Sequence, residues 1–271
     1  MKNSVLFLLI IAGLSVLTWY FVPVSHATIT GILGGFIISG VTLLYKHRDN
    51  LPIFYECVRY FNSDVRISFS YLFRIKLDGR YLLIWNANRR VYQPVGGAYQ
   101  FYSEALPFLK SELKCRDDIY QNEHGYNPSD VRLLIKGRRL PTFMRWFYDG
   151  KDREWDVWRE FYEELVESNI LTVPPFGFVR TKFVRRCLPP LEFAFPGSPP
   201  NRRLADIYEV VLDDSQSSVL KALHSCVGPN PEGSIPICWA SEEEIRRKGV
   251  PDGGPRTITI SDNAQLLLDE N

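Results

Sequence analysis

The chain has 271 residues, of which 45% are hydrophobic and 14% aromatic, and its formal net charge is +1. This composition argues against a disordered chain, and the near-neutral charge predicts no nucleic acid polymer as a partner. The five cysteines are scattered and form no C-x-x-C pair. They therefore indicate neither a disulfide framework nor a zinc site.

The chain opens with two apolar runs, at about residues 5–24 and 28–45, separated by Ser25-His26-Ala27. A helix needs roughly 20 apolar residues to cross a bilayer. The runs therefore predict a two-helix transmembrane hairpin over residues 1–46, followed by a domain at 47–271. The alternative is a cleaved signal peptide, because small residues stand at the two positions that signal peptidase inspects. Against it, the second run would remain as an anchor after cleavage.

Basic residues lie at both ends of this hairpin and not in its connecting loop: Lys2 precedes the first run, and Lys46 and Arg48 follow the second. The positive-inside rule then predicts a multi-pass membrane protein, with membrane lipid as a partner and both ends of the hairpin and the soluble domain in the cytoplasm. The second run carries a row of small residues at helical spacing, Gly31, Gly35 and Ser39. Such a row packs the two helices of the hairpin or joins copies into a homo-oligomer.

The clearest local signal in the soluble part is a β-hairpin. Residues 66–77 are rich in β-formers, Asp78-Gly79 is a favoured two-residue turn, and residues 81–85 return as the partner strand. A further strand at 91–98 contains the pair Gly96-Gly97, which permits a backbone approach that a Cβ would block.

Three elements are predicted farther along the chain: a helix at 103–115, a strand at 131–136 and a helix at 153–166. The second helix places three carboxylates on one face, those of Glu160, Glu163 and Glu164. Such a cluster is either a solvated acidic face or a site for a hard cation such as Mg²⁺, which prefers oxygen ligands.

The order of these parts resembles a Nudix domain over about residues 68–268. Arg159-Glu160-Phe161-Tyr162-Glu163-Glu164 matches the R-E-U-x-E-E centre of the Nudix box, where U is apolar, and Gln93-Pro94-Val95-Gly96-Gly97 is similar to the P-x-G-G before it. The resemblance implies an α+β fold, a Nudix-like α/β/α sandwich of a mixed sheet with helices, here preceded by the transmembrane hairpin. It also implies Glu160, Glu163 and Glu164 as ligands of Mg²⁺, with Arg159 orienting them.

The box departs from the family pattern in three ways. Gly97 lies 62 residues before Arg159, which predicts an insertion at about residues 98–150. Position 151 is Lys where the family has Glu, and residues 165–167 lack the expected Gly. No residue is therefore assigned a catalytic role, and a non-catalytic nucleotide sensor is favoured over a hydrolase.

Two apolar spans joined to a divergent Nudix domain resemble the membrane-anchored, SMODS-associated Nudix effectors that accompany CD-NTases in bacterial CBASS anti-phage systems. The resemblance implies a cyclic oligonucleotide as the ligand, and assembly of the spans to disrupt the inner membrane of an infected cell.

Basic clusters in the soluble part are candidates for binding the phosphates of that ligand, because arginine suits bidentate phosphate recognition. The candidates are Arg138, Arg139, Arg180, Lys182, Arg185, Arg186, Arg202 and Arg203. Solvated surface is the alternative for any one of them. Aromatic residues near the glycine pair could stack on a base or pack in the core: Trp85, Tyr92, Tyr99 and Phe101.

Three functions remain open from the sequence. The first is the membrane effector that senses a cyclic oligonucleotide. The second is a membrane-tethered Nudix hydrolase, in which Mg²⁺ activates water against nucleoside diphosphate-linked compounds. The third is an anchored scaffold with no small ligand.

Overall fold

The computed structural model describes residues 51–118, 127–193, 196–226, 236–250 and 258–269. The chain divides into two units at Arg59–Tyr60. Helix α1 (Leu51–Arg59) belongs to the first unit, and the strands and helices described below belong to the second.

The predicted transmembrane hairpin, with spans at residues 5–24 and 28–45, lies outside the described residues. Within the described ranges, no helix is long and apolar enough to cross a membrane. The longest of them has 13 residues, whereas a span needs roughly 20. Two predictions are corrected on this finding. The described residues form an α+β fold with a mixed sheet, and they support neither the transmembrane hairpin in the predicted fold class nor the predicted multi-pass inner-membrane localisation.

The described residues of the second unit form strands and helices in the following order. The strands are β1 (Asp64–Arg74), β2 (Lys76–Leu77), β3 (Arg80–Asn86), β4 (Val91–Pro94), β5 (Gly96–Ala98), β6 (Arg116–Asp117), β7 (Arg132–Lys136), β8 (Arg180–Cys187), β9 (Glu192–Phe193), β10 (Pro200–Val211) and β11 (Ile237–Ser241). The helices are α2 (Leu140–Asp149), α3 (Trp158–Phe161), α4 (Asp214–Cys226) and α5 (Glu242–Arg246). Shorter helical turns lie at Ser103–Ala105, Phe108–Glu112, Gly137–Arg139 and Asp262–Leu267, and α3 continues in π-helical form over Tyr162–Glu167.

Within the described ranges the strands make two sheets. Sheet A has the order β6-β7-β1-β10-β8, with β5 added to β1 and β9 to β10, and sheet B joins β11, β3, β2 and β4. Strands β1 and β10 are parallel from Arg66 beside Asn201 to Arg74 beside Glu209, whereas the other pairs are antiparallel. Sheet A is therefore mixed, as predicted.

The two sheets pack face to face around an apolar core. Leu72 and Ile207 of sheet A meet Leu83 and Ala240 of sheet B in one buried cluster. Removing this apolar surface from water holds the sheets together. The opposite face of sheet A carries a second, aromatic core, in which rings meet edge to face, as their quadrupoles favour. Its buried members include Phe69, Tyr71, Phe73, Tyr99, Phe143, Phe147 and Phe161.

The β-hairpin prediction is confirmed, with one difference. Asp78 and Gly79 both adopt positive φ, 46° and 80°, which is the geometry that the two-residue turn requires. The strand predicted at 66–77 is divided at Ile75, because β1 belongs to sheet A and β2 to sheet B. The chain crosses between the sheets again at Val95, between β4 and β5.

The helix predicted at 153–166 begins at Trp158 instead. Arg153 forms a β-bridge with Phe101, and this extended pairing prevents the first residues from entering the helix. The Asp156 carboxylate accepts a hydrogen bond from the Trp158 N–H at 2.9 Å, which marks the start of the helix. We call Trp158–Glu167, that is α3 and its π-helical continuation, the acidic helix.

Candidate functional site

The glycine pair of β5 lies directly beside the acidic helix. Gly96 has a φ of +137°, and a Cβ built on it would lie 2.2 Å from the Tyr71 carbonyl oxygen in β1. No other residue fits this position without moving the strand. The Gly96 N–H donates a hydrogen bond to Glu164 Oε2 at 2.7 Å, so the backbone of β5 binds the helix directly.

Gly97 makes room for the carboxylate of Glu160. A Cβ on Gly97 would lie 2.1 Å from Glu160 Cδ, because the carboxylate rests against the bare backbone. The two glycines therefore position two of the three predicted metal ligands, Glu160 and Glu164, at one point of β5.

Arg159 joins the acidic groups of this region. Its Nη1 donates to Glu160 Oε1 at 2.7 Å and to Glu163 Oε2 at 3.2 Å. Its Nη2 donates to the Ala98 carbonyl oxygen at 3.0 Å. The orienting role that the Nudix resemblance implied for Arg159 agrees with this geometry.

The main partner of Arg159 is a residue that the sequence did not indicate, Glu154. Arg159 Nε lies 3.0 Å from Glu154 Oε1, and Nη2 lies 3.3 Å from Oε2, so the pair is bidentate. Glu154 is 6% exposed and also accepts bonds from the Gln100 N–H and the Tyr71 hydroxyl. Glu154 is thus a buried carboxylate at the box that the family pattern did not predict, whereas position 151, where the family has Glu, is Lys.

Glu154 reaches the site because residues 102–152 form an excursion that begins after β5 and ends beside it. After β5 the backbone pairs Phe101 with Arg153, and the Glu154 N–H donates to the Gln100 carbonyl oxygen at 2.8 Å. The residues between Phe101 and Arg153 therefore leave and rejoin the site at adjacent points. The sequence offers one weak signal for this position, the charged Glu154 beside the apolar Trp155, but both residues lie in the stretch predicted as a helix.

The missing glycine after the box is replaced by another residue that tolerates a left-handed backbone. Asn169 adopts a φ of 61°, and the Leu171 N–H returns to the Leu165 carbonyl oxygen at 2.7 Å. Asn is among the few side chains that visit this region readily. The acidic helix therefore still ends in a tight turn.

Burial and mutual repulsion raise the pKa values of these acids. Burial is the largest cause at Glu164, whose pKa rises to about 8 despite the opposing hydrogen bond from Gly96. Burial also raises the pKa of Glu160, although Arg159 acts in the opposite direction. Nearby Asp130 has a pKa raised to about 6, again mainly by burial. The single positive charge of Arg159 therefore does not fully offset the negative charges of these clustered carboxylates.

The donor atoms suit a hard cation, but the protein's own groups bind them in this structure. Mg²⁺ takes carboxylate oxygens at near-octahedral positions, whereas here Arg159 binds Glu160 and Glu163, and Gly96 binds Glu164. Among the described residues, no three Asp, Glu, His or Cys side chains are grouped so that they could hold a metal ion. The assignment of Glu160, Glu163 and Glu164 as Mg²⁺ ligands therefore stays a prediction, since Arg159 and Gly96 bind these carboxylates in the observed positions.

A second polar cluster lies on the aromatic face of sheet A. Asp206 of β10 is 1% exposed and accepts two bonds from Arg186 of β8, at 2.6 and 2.7 Å. It also accepts the hydroxyl hydrogen of Tyr99 at 2.7 Å. The Arg186 guanidinium lies 4.9 Å from the ring centroid of Tyr148, at the end of α2. Burial acts to lower the pKa of Arg186, but its bonds to Asp206 raise that pKa overall.

A cavity of about 860 Å³ opens at the end of β8. Arg185 and Arg186, both predicted to bind phosphate, line it together with Arg246 of α5. Arg246 was not among the predicted residues, because it follows three consecutive glutamates and its i, i+4 spacing from Glu242 suggests only a helix-surface ion pair.

The other predicted basic residues lie elsewhere. Arg138 binds Asn62, and Arg139 binds the Glu112 carbonyl oxygen, at the start of α2. The ten residues of α2 separate them from Arg186 by roughly 15 Å. Arg180 is exposed at the opposite end of β8, roughly 20 Å along the strand from Arg186. These five of the predicted phosphate-binding arginines therefore do not form one site: Arg138, Arg139, Arg180, Arg185 and Arg186.

Core packing accounts for most of the aromatic residues near the glycine pair. Tyr92, Tyr99 and Phe101 are buried, whereas Trp85 is half-exposed and stacks obliquely on Tyr92 at 5.0 Å. None of the three buried rings offers an open face to a base.

Comparison with known proteins gives one finding. A family model described as SMODS-associated NUDIX domain matches residues 64–268. No curated protein and no solved structure matches the chain.

Proposed function

Because the chain belongs to the SMODS-associated NUDIX domain family, we propose that it is an effector of a CBASS anti-phage system and that its Nudix-like domain senses a cyclic oligonucleotide. The family assignment supports the link to CBASS. The role of the domain as a receptor is argued from the site.

The observation that carries the proposal is the environment of Arg159. Its guanidinium binds Glu154, Glu160 and Glu163 together, and the Gly96 N–H binds Glu164. The carboxylates that a hydrolase would offer to a cation are engaged by the protein's own groups. Such a box holds the acidic helix against β5 and suits a domain that binds a nucleotide without cleaving it.

A binding experiment on the full chain tests this function. The protein is titrated with a panel of cyclic di- and trinucleotides, and the nucleotide in each sample is analysed by chromatography after binding. We expect at least one cyclic nucleotide to bind and to be recovered intact, with or without Mg²⁺. Failure of the whole panel to bind, or recovery of a cleaved product, would contradict the proposal.

One observation favours a second candidate, a Mg²⁺-dependent hydrolase of nucleoside diphosphate-linked compounds. The Glu154–Arg159 pair places a buried carboxylate beside the arginine of the box, although position 151, where the family has Glu, is Lys. The box therefore contains an arginine–carboxylate pair that its sequence did not indicate.

The hydrolase candidate predicts a specific loss of turnover. Substitution of Glu163→Gln together with Glu164→Gln should abolish Mg²⁺-dependent cleavage, because both carboxylates would become neutral amides. The matched control is Glu167→Gln, an exposed glutamate at the end of the same helix, which should keep full turnover. Product release is measured with a panel of nucleoside diphosphate compounds. If the wild-type chain cleaves none of them, this candidate is excluded.

A further inference from the structure

Arg66 and Arg132 lie together on the face of sheet A that points away from the aromatic core. Along β1, Arg66 and Ser68 alternate with the buried Ile67 and Phe69, and successive side chains of a strand point to opposite faces. Arg132 of β7 is directly opposite Ser68 in the antiparallel register, so it shares the face of Ser68. The two arginines are therefore diagonal neighbours on adjacent strands.

A third arginine, Arg89, reaches this pair from sheet B. It belongs to the exposed turn between β3 and β4. Partial burial of its guanidinium is the largest cause that lowers the pKa of Arg89, and the positive charges of Arg132 and Arg66 lower this pKa further. The backbone N–H of Arg89 binds Asn86, whereas its guanidinium forms no hydrogen bond or ion pair within the described ranges. Three positive charges are thus held close together by the fold.

The carboxylates of this region leave much of that charge available. Arg66 Nε donates to Asp118 Oδ2 at 2.5 Å, and its two Nη groups have no partner among the described residues. Arg132 Nη1 lies 3.6 Å from Asp130 Oδ2, which is too far for a hydrogen bond. Both carboxylates are buried, whereas the two arginine side chains are partly exposed. A ligand that approaches from solvent therefore meets the positive charges first.

The donor groups at this surface suit a phosphate. An arginine carries five N–H donors and can bind phosphate in a bidentate manner. Ser68 adds a neutral donor beside Arg132, because its half-buried hydroxyl has no hydrogen-bond partner in the part of the chain that the structure describes. Like charges at close range repel one another. An anion bound among the three guanidinium groups would remove that repulsion.

We propose that Arg66, Arg89 and Arg132 bind a phosphate group, and that this arginine cluster receives a phosphate of the nucleotide. The assignment of the phosphate to a nucleotide rests on the proposed function, whereas the anion site rests on the cluster itself. The cluster lies near the acidic box. Burial is the main cause that raises the pKa of Asp130, the charge of Arg132 opposes this rise, and the charge of Glu160 adds to it. The phosphate is thus bound beside the box, whose clustered carboxylates would repel it.

The turn between β3 and β4 offers a matched pair of variants. Arg89 and Arg90 are adjacent and exposed, and neither side chain forms a hydrogen bond or ion pair among the described residues. Arg89→Gln and Arg90→Gln therefore remove the same charge from the same turn, and neither removes a contact that stabilises the fold. Arg89 is the member of the pair on which the charges of Arg66 and Arg132 act.

The experiment measures binding of inorganic pyrophosphate to the full chain by calorimetry at fixed ionic strength. We expect Arg89→Gln to weaken binding by about tenfold or more, through the loss of one charge-assisted contact. Arg90→Gln should remain within about twofold of wild type, because a nearby exposed charge contributes little at moderate salt. Equal weakening by both variants, or no binding of pyrophosphate to the wild type, would overturn the site.

Thermal unfolding gives a second measurement of the same site. Without pyrophosphate, the unfolding midpoint of Arg89→Gln should be no lower than that of wild type, because the substitution removes repulsion and no contact. Saturating pyrophosphate should raise the midpoints of wild type and Arg90→Gln, since a ligand that binds only the folded state stabilises it. The rise should be much smaller for Arg89→Gln at the same concentration. An equal rise in all three proteins would count against the arginine cluster.

The same variants, titrated with the cyclic nucleotides, separate this inference from the proposed function. If a cyclic nucleotide binds the wild type and both variants equally, the arginine cluster is not its phosphate site, although the proposed function stands. If pyrophosphate binding depends on Arg89 and no cyclic nucleotide binds, the anion site stands and the proposed function fails.

Discussion

Asp206→Ala is expected to destabilise the domain by about 3 kcal/mol, the cost of removing one partner from a buried ion pair. The Asp206 side chain is 1% exposed and joins Arg186 to the Tyr99 hydroxyl. Its removal leaves Arg186 without its carboxylate, beside the buried guanidinium of Arg153. Burial and the proximity of Arg186 already lower the pKa of Arg153, so the two cations would repel more strongly. Chemical denaturation of the purified chain measures the loss.

Glu209→Ala is the matched control, because Glu209 lies on the same strand and also binds an arginine. Its side chain is 39% exposed and lies 3.4 Å from Arg74, which Asp269 also binds. This substitution should cost less than about 1 kcal/mol, as for other exposed ion pairs. Equal losses for the two variants would show that the Asp206 pair contributes no more than a surface contact.

A double substitution separates the pair from the packing around it. If the cost of Asp206→Ala arises from the unpaired Arg186, then Asp206→Ala with Arg186→Ala should cost less than the sum of the single changes. Strict additivity would place the loss in the contacts of Asp206 with Tyr99 instead. The Arg186 side chain is 31% exposed, which keeps the expected coupling below that of a fully buried pair.

Elements fixed by neighbouring residues were predictable from the sequence. The Asp78-Gly79 turn needs only its own two residues. The short helix α5 begins with a capping box, in which the Ser241 and Glu244 side chains each bind the other's backbone N–H. Both signals lie within four residues, so no information about the rest of the fold was required.

Contacts between distant residues were not predictable in the same way. Glu154 reaches Arg159 only because Phe101 and Arg153 pair after a long excursion of the chain. Arg246 becomes a cavity residue only because α5 packs near the end of β8. Asp206 gave a partial signal, since a charge within the apolar run Leu204–Ile207 requires a buried partner, but the strand alone does not name Arg186.

The glycine pair was predictable in part from the local sequence and in part only from the fold. The sequence Gly96-Gly97 indicates a close approach to the backbone, and the structure identifies the approaching groups. Tyr71 meets Gly96 from β1, and Glu160 meets Gly97 from the acidic helix. The pattern predicted that a Cβ is excluded, whereas the partner that excludes it depends on the packing of sheet A.

Glu164→Gln is expected to stabilise the domain increasingly as the pH rises. Burial raises the pKa of Glu164 from the ordinary value of 4.5 to about 8, so the folded state retains a proton that the unfolded state has lost. The stability that this proton contributes is complete below about pH 4.5 and is lost progressively as the pH approaches 8. A glutamine keeps the acceptor for the Gly96 N–H and has no proton to lose. Because Glu164 is only half-buried by its side-chain exposure, the gain at pH 8.5 should be about 1–3 kcal/mol.

Unfolding free energies of wild type and Glu164→Gln between pH 4 and pH 9, in the presence of a chelator, measure this effect. The control is Glu163→Gln, whose side chain is 47% exposed and bound only to Arg159 among the described residues. It should change stability by less than about 1 kcal/mol at every pH. Asp130, with a pKa of about 6, titrates in the same range but contributes equally to wild type and variants, so it cancels in the difference. A gain for Glu164→Gln that is the same at pH 4 and pH 9 would mean that packing, and not the retained proton, sets its effect. A gain that grows with pH would show that ionisation of the buried Glu164 carboxylate destabilises the fold when no cation is present.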